Sequence, residues 1–157
     1  MHTSVQNWIT QIVRDYNLKD LSVLEIGSLD VNGSIRGHFT GQYIGVDFRE
    51  GPRVDRIMNG HNLEFPNQAF DVVAAIETLE HDSAFWLTLV EMGRVLKNRG
   101  YLIITTRGNG FAEHGHPQDY WRFMPESINL IAPLAGCTSL VTLPDPEVAG
   151  IFVLGQK

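Results

Sequence analysis

The sequence predicts an α/β fold: one domain with an open, mostly parallel sheet and one antiparallel strand near its C-terminal edge. Three observations carry that expectation. Short apolar runs bounded by turn residues recur along the chain, as buried strands require. Between some of them lie stretches with helical spacing, the alternation of a parallel α/β sheet. The last two runs are joined by only a few residues, and a parallel pair needs a crossover of about a dozen, so these two must run antiparallel.

The elements follow in order. Val5, Trp8, Ile9, Ile12, Val13 and Tyr16 fall on one face of a first helix, and Thr3 with Gln6 has the spacing of a capping box. Residues 21–26 form an apolar run closed by Gly27, which suits a buried strand. Further strands are expected at 43–46, 54–58, 70–76 and 101–105. Residues 83–96 place Phe85, Trp86, Leu89, Met92 and Leu96 at helical spacing, with Asp82 or Ser83 able to cap the start. Pro125 and Glu126 read as the first turn of another helix ending before Gly136, with a break or kink near Ala132 imposed by Pro133. Strands at 138–143 and 148–154 close the chain around a Pro144-Asp145-Pro146-Glu147 turn.

Size and composition bound the function. A chain of 157 residues, 43% hydrophobic and 19% charged, suits one globular domain, residues 1–157, without repeats or linkers. No apolar run approaches the ~20 residues that cross a bilayer. The N-terminal MHTSVQNWITQ has neither the basic start nor the apolar stretch of a secretory signal. Cys137 is the only cysteine, which excludes an internal disulfide, suits a reducing compartment and reads as a small buried residue. The expected location is therefore cytoplasmic. A net charge of −6 with scattered basic residues argues against a nucleic-acid face and for a small-molecule partner.

Two strand ends carry the chemistry. Val23-Leu24-Glu25-Ile26-Gly27-Ser28 is a buried strand ending in a carboxylate, a glycine and a polar turn. In open α/β sheets ligands bind at the carboxyl ends of strands, near the switch point of strand order. Gly27 would let the backbone approach a ligand closely, and Glu25 would accept hydrogen bonds from a ligand amine or from neighbouring N–H groups. Asp47 ends the second strand about 20 residues past Gly27, where an acidic side chain holds the two hydroxyls of a ribose. The plainer alternative for Asp47 is an ordinary turn residue.

With these residues in hand, the sequence resembles the class I S-adenosylmethionine-dependent methyltransferases, in particular the small type-11-like group of bacterial and phage kind. The resembling pieces are VLEIGSLDVNGSIR, YIGVDFREGP, FDVVAAIETLEH, EMGRVLKNRGYLIITTRG and HPQDYWRFMPE, in order from Val23 to Glu126. The resemblance implies a Rossmann-like methyltransferase fold with S-adenosylmethionine as cofactor and S-adenosylhomocysteine as product. It implies that Glu25 and Gly27 line the methionine moiety, that Ser28 also binds the cofactor and that Asp47 binds the ribose. It further implies that Phe48, Asn59, Gly60 and His61 surround the adenine, and that Glu77 and the following Thr78-Leu79-Glu80-His81 lie beside the methyl group. The chain departs from the family in carrying fewer glycines after Gly27 and in having Asn59 and Asn62 where Asp is commoner. The short stretch 33–41 implies an abbreviated first crossover helix. The absence of a large insertion leaves acceptor recognition to short loops, the first helix or a second subunit, so a homo-oligomer stays open.

The loop after the fifth long strand is rich in rigid and ionisable side chains. Arg107, Tyr120, Trp121 and Arg122 are its candidate acceptor-binding residues. His81, His114 and His116 are candidate bases for an oxygen nucleophile, and the sequence does not choose among them. Trp121 and Phe123 packing in the core, with Arg122 paired to Asp119 or Glu126, is the structural alternative. His81, His114, His116 and Asp119 offer only a loose metal pattern, and no metal is assigned. The expected function is methyl transfer to an oxygen or nitrogen of a small-molecule or sugar-type acceptor. The alternative is a catalytically weak or inactive methyltransferase-like module that acts with a partner. A nicotinamide-dependent oxidoreductase is disfavoured, because no G-x-G-x-x-G follows the first strand.

Overall fold

The computed structural model describes residues 2–115 and 118–157, so His116, one of the three candidate bases, lies outside the described residues. Seven strands form one sheet: β1 (Val23–Ile26), β2 (Tyr43–Asp47), β3 (Arg56–Ile57), β4 (Phe70–Ile76), β5 (Leu96–Arg107), β6 (Thr138–Pro144) and β7 (Gly150–Gln156). Their order is β3-β2-β1-β4-β5-β7-β6. The first five are parallel, and β7 runs antiparallel between β5 and β6. The reversed strand near the C-terminal edge is therefore present as the short final turn demands.

Side chains alternate across the sheet and fill two apolar layers. Leu24, Ile26, Val73, Ala75, Leu102 and Ile104 face one layer with Leu89 and Met92 of α2 (Phe85–Val95) and Ile131 of α3 (Ile128–Leu134). Val23, Val72, Ala74 and Ile103 face the other, under Val5, Trp8, Ile9, Ile12 and Val13 of α1 (Thr3–Asp15). The Trp8 ring stacks on Phe152 of β7 with centroids 4.9 Å apart. Burial on both faces explains why the parallel strands read as continuous apolar runs.

Several local expectations are corrected. The α1 cap is His2, with no side-chain hydrogen bond. Gln6 leaves the capping-box geometry because its amide donates to the Ser34 carbonyl and its oxygen meets His38 Nε2 at 2.6 Å. Ala84 caps α2, again without a side-chain bond, although Asp82 accepts from the Ala84 N–H just ahead of it. The strand expected at 54–58 shrinks to two residues, since Asp55 is diverted to accept from Gly45 N–H and Arg36. Conversely, β5 starts at Leu96, because an irregularity lets Leu96 pair with Phe70 before regular pairing resumes at Tyr101. The last helix does not break near Ala132. It continues through Pro133 to Leu134, where the proline sits in the final turn and removes a single donor. Gly136, at φ +69°, then closes it: Gly136 N–H donates to Pro133 and Cys137 N–H to Ala132, a Schellman ending.

The connections are lean. The β1–β2 crossover holds only a 3₁₀ turn at Arg36–His38. Among the described residues, no helix lies between β2 and β4. No helix among them is long and apolar enough to cross a membrane.

Candidate active site

Register brings the chemistry to one edge. β1 lies between β2 and β4, pairing Ile26 with Val46 and Ala75, so the chain passes Gly27, Asp47 and Glu77 at neighbouring carboxyl ends. Arg107 ends β5 beside them. The switch point of strand order falls between β1 and β4, where open α/β sheets bind ligands. A cleft of about 600 Å³ opens there.

At the β1–β2 end, Glu25 is buried and its carboxylate accepts a 2.7 Å hydrogen bond from the Tyr43 hydroxyl. Burial pushes its pKa up to about 7, against the pull of the Tyr43 hydrogen bond and the Arg36 charge. Gly27 turns the chain at φ +73°, a conformation that strains any residue with a Cβ. A Cβ there would also overlap the Thr78 side chain, so the glycine is required by the protein's own packing. Asp47 is buried at the cleft wall. Its oxygens accept only long bonds, 3.3 Å from Arg49 N–H and 3.4 Å from Leu29 N–H, and so retain capacity for a ligand's hydroxyls.

The rim is more open. Phe48 is 59% exposed, with the Arg49 guanidinium 5.4 Å from its ring centre. Asn59 accepts from His61 N–H, and His61 Nε2 meets Asp82 at 2.7 Å. Asp82 also accepts from Thr88, which ties this rim to α2.

At the β4–β5 end, Arg107 is only 3% exposed and ion-pairs with Glu77; its other terminal nitrogen lies 3.6 Å from Asp145. Burial lowers the Arg107 pKa, and Asp145 partly offsets that. The guanidinium stands 4.5 Å from the Phe111 ring centre. His81 and His114 meet edge to face with centroids 4.8 Å apart. His81 Nδ1 lies 2.6 Å from the Gln118 carbonyl. His114 Nδ1 lies 3.2 Å from Asp119, without the alignment of a hydrogen bond. Burial lowers the His114 pKa, with Asp119 opposing the shift. Asp119 is held well below the usual carboxylate range, chiefly by its hydrogen bonds from Arg122. Behind them Glu80 is fully buried: one oxygen accepts from Thr106 at 2.8 Å and the other has no partner. Burial raises its pKa.

Every candidate cofactor residue (Glu25, Gly27, Ser28, Asp47, Phe48, Asn59, Gly60, His61 and Glu77) lines this one cleft, as do His81, His114, Arg107 and Tyr120. Trp121 and Arg122 do not. Trp121 packs edge to face on Phe85 and donates Nε1–H to the Asp82 carbonyl. Arg122 is committed to Asp119 and the carbonyls of Phe111 and Ala112, which orders the loop on itself. Sequence reasoning missed His2, which lines the cleft beside Phe111, and Asp145, which reaches Arg107 from the final turn. The lone Asp between two prolines was the available signal for Asp145.

A family model described as a methyltransferase domain matches residues 24–104. No curated protein sequence matches. Among solved structures, the 1,6-didemethyltoxoflavin-N1-methyltransferase of Burkholderia thailandensis, with 1,6-didemethyltoxoflavin and S-adenosylhomocysteine bound, superposes with a TM-score of 0.75 at 18% identity, over 99% of this chain and 78% of that one. A SAM-dependent methyltransferase of Aquifex aeolicus gives 0.70 at 16%, over 94% and 88%. The [4+2]-cyclase SpnF gives 0.75 at 15%, over 97% and 80%. At these identities the likeness is one of fold.

Proposed function

The chain belongs to the methyltransferase-domain family, and from that premise we propose that it transfers the methyl group of S-adenosylmethionine to an oxygen or nitrogen of a small-molecule acceptor, sugar hydroxyls included. The observation that carries this reading is the alignment of Gly27, Asp47 and Glu77 at three adjacent strand ends on one cleft. The residues present fit the cofactor: a carboxylate with spare acceptor capacity at Asp47, a turn without a side chain at Gly27, and a buried carboxyl at Glu25.

In this reading Asp47 holds the ribose hydroxyls and Glu25 faces the methionine ammonium. Phe48 and the Asn59-Gly60-His61 turn flank the adenine. When bound, S-adenosylmethionine supplies a methyl group already activated by its sulfonium. The protein's task is then mainly to align an acceptor, which supplies up to about 7–11 kcal/mol of the barrier. Arg107, Phe111 and Tyr120 form the acceptor end, an aromatic wall with one buried cation. His81 and His114 face that end, and His114, whose pKa burial lowers, would accept the acceptor's proton. A base of this kind contributes about 10²- to 10⁴-fold for an oxygen nucleophile. His116, in the same loop, is retained as a candidate base on sequence grounds alone. The lone thiol of Cys137 suits a cytoplasmic setting.

The [4+2]-cyclase on a similar fold is a reminder that fold does not fix chemistry. The test is therefore label transfer from methyl-labelled S-adenosylmethionine into a panel of sugars, phenols and amines. Label should appear in at least one acceptor class, and His114→Ala should cut that turnover by about tenfold or more with cofactor affinity nearly intact. Cofactor binding with no label in any acceptor would favour a binding module instead.

A further inference from the structure

We propose that Glu80, His81 and His114 form a binding site for a divalent transition-metal ion on the acceptor wall of the cleft. One ligand atom from each converges with the others within 4.8 Å. Two imidazoles and one carboxylate make a three-ligand set that leaves coordination positions open, and that chemistry selects first-row ions such as Zn²⁺, Fe²⁺, Mn²⁺ or Co²⁺ over Mg²⁺ or Ca²⁺.

A second, independent observation is the unpartnered oxygen of Glu80. The residue is 0% exposed, and Thr106 satisfies only one of its carboxylate oxygens. A buried acceptor without a donor is costly, and a cation on that oxygen removes the cost.

The surroundings match what metal-binding histidines require. Such residues commonly set their second ring nitrogen against a carbonyl or carboxylate, which fixes the ring. His81 has Nδ1 at 2.6 Å from the Gln118 carbonyl, and His114 has Nδ1 at 3.2 Å from the Asp119 carboxylate. His81 therefore keeps Nε2 for a metal, whereas His114, whose Nδ1 makes no aligned hydrogen bond, offers either ring nitrogen. Asp119 is itself fixed by Arg122 and by His114 N–H. Glu80 closes the back of the site, whereas both histidines line the cleft, so the open positions face the acceptor.

This inference rests on the methyl-transfer reading only for its role. There, a metal at this place would bind an acceptor hydroxyl and lower its pKa, work otherwise left to a histidine base. Its existence is tested without turnover. Tag-free protein, stripped with chelator, is titrated with Co²⁺ by visible absorption and with Zn²⁺ by calorimetry. One site per chain is expected, weakened about 10- to 100-fold or lost in His114→Ala and Glu80→Gln, with Asp119→Asn weakening it less. His114→Ala removes a partly exposed side chain, so its fold is checked by an unchanged melt. No cobalt band at millimolar metal, or equal bands in wild type and His114→Ala, would overturn the site. S-adenosylhomocysteine is titrated into the same samples: heat from it without a cobalt band sinks the metal and spares the methyltransferase reading. A cobalt band without that heat supports the metal and sinks the cofactor reading.

Discussion

Glu25 offers a prediction whose size can be worked from its burial. Its carboxyl ionises at about 7 in the folded protein, against 4.5 for an ordinary glutamate, because burial penalises the charge. If the ionised form alone pairs with the cofactor's ammonium, binding must expel the proton from Glu25 whenever the pH lies below about 7. Affinity for S-adenosylhomocysteine should then be flat above that point and fall by nearly tenfold per unit below it. That is about 30-fold by pH 5.5, or roughly 2 kcal/mol. Calorimetry near pH 6 in buffers of differing ionisation enthalpy should register close to one proton released per cofactor bound. Glu25→Gln should abolish both the slope and the proton release. The same group affects the unliganded protein. A folded pKa above the unfolded one means its contribution to stability is complete below about 4.5 and lost as pH rises through about 7. That loss is of order 3 kcal/mol in wild type and absent in Glu25→Gln. A slope of affinity with pH that survives in Glu25→Gln would refute the reasoning, because the histidines along the cleft would then be its source.

The remaining predictions concern packing at the same edge. Gly27→Ala should lower the melting temperature, because a Cβ at φ +73° meets Thr78. The cost is about 1–3 kcal/mol, and Thr78→Ala in the same chain should recover part of it; an unchanged melt in Gly27→Ala would contradict the packing argument. Arg107→Ala leaves the half-buried Glu77 and the buried Asp145 without their cation and should cost about 3–5 kcal/mol in urea unfolding. A loss below about 1 kcal/mol would place that pair in the range of exposed ion pairs.

What the sequence made legible follows from physics that acts locally. The four long parallel strands are buried on both faces and bounded by turns, so β1, β2, β4 and β5 were visible as apolar runs. The reversed β7 followed from a connection length. Helix caps were less legible, because Gln6 and Asp82 find partners brought from elsewhere in the chain, His38 and His61, and Asp82 also accepts from Thr88 within α2. The same holds for Arg107: that its charge is balanced by Asp145 depends on the β5–β7 pairing, which brings Gly150 beside Arg107. Gly27 was read as a necessary glycine for a ligand's approach, whereas the constraint the structure shows comes from Thr78, which lies beyond β4. Trp121 and Arg122 belong to loops whose composition looks alike whether they face a ligand or their own backbone. Only the tertiary structure sends Tyr120 toward the cleft and Trp121 toward Phe85.

The most direct test of the central claim is a calorimetric titration of S-adenosylhomocysteine into wild-type protein and folded Asp47→Ala. The account predicts one site per chain in wild type. In the variant it predicts a loss of about tenfold to a hundredfold, the worth of hydrogen bonds from ribose hydroxyls to a charged carboxylate. Equal affinity in the two proteins, or no binding to wild type, would contradict it.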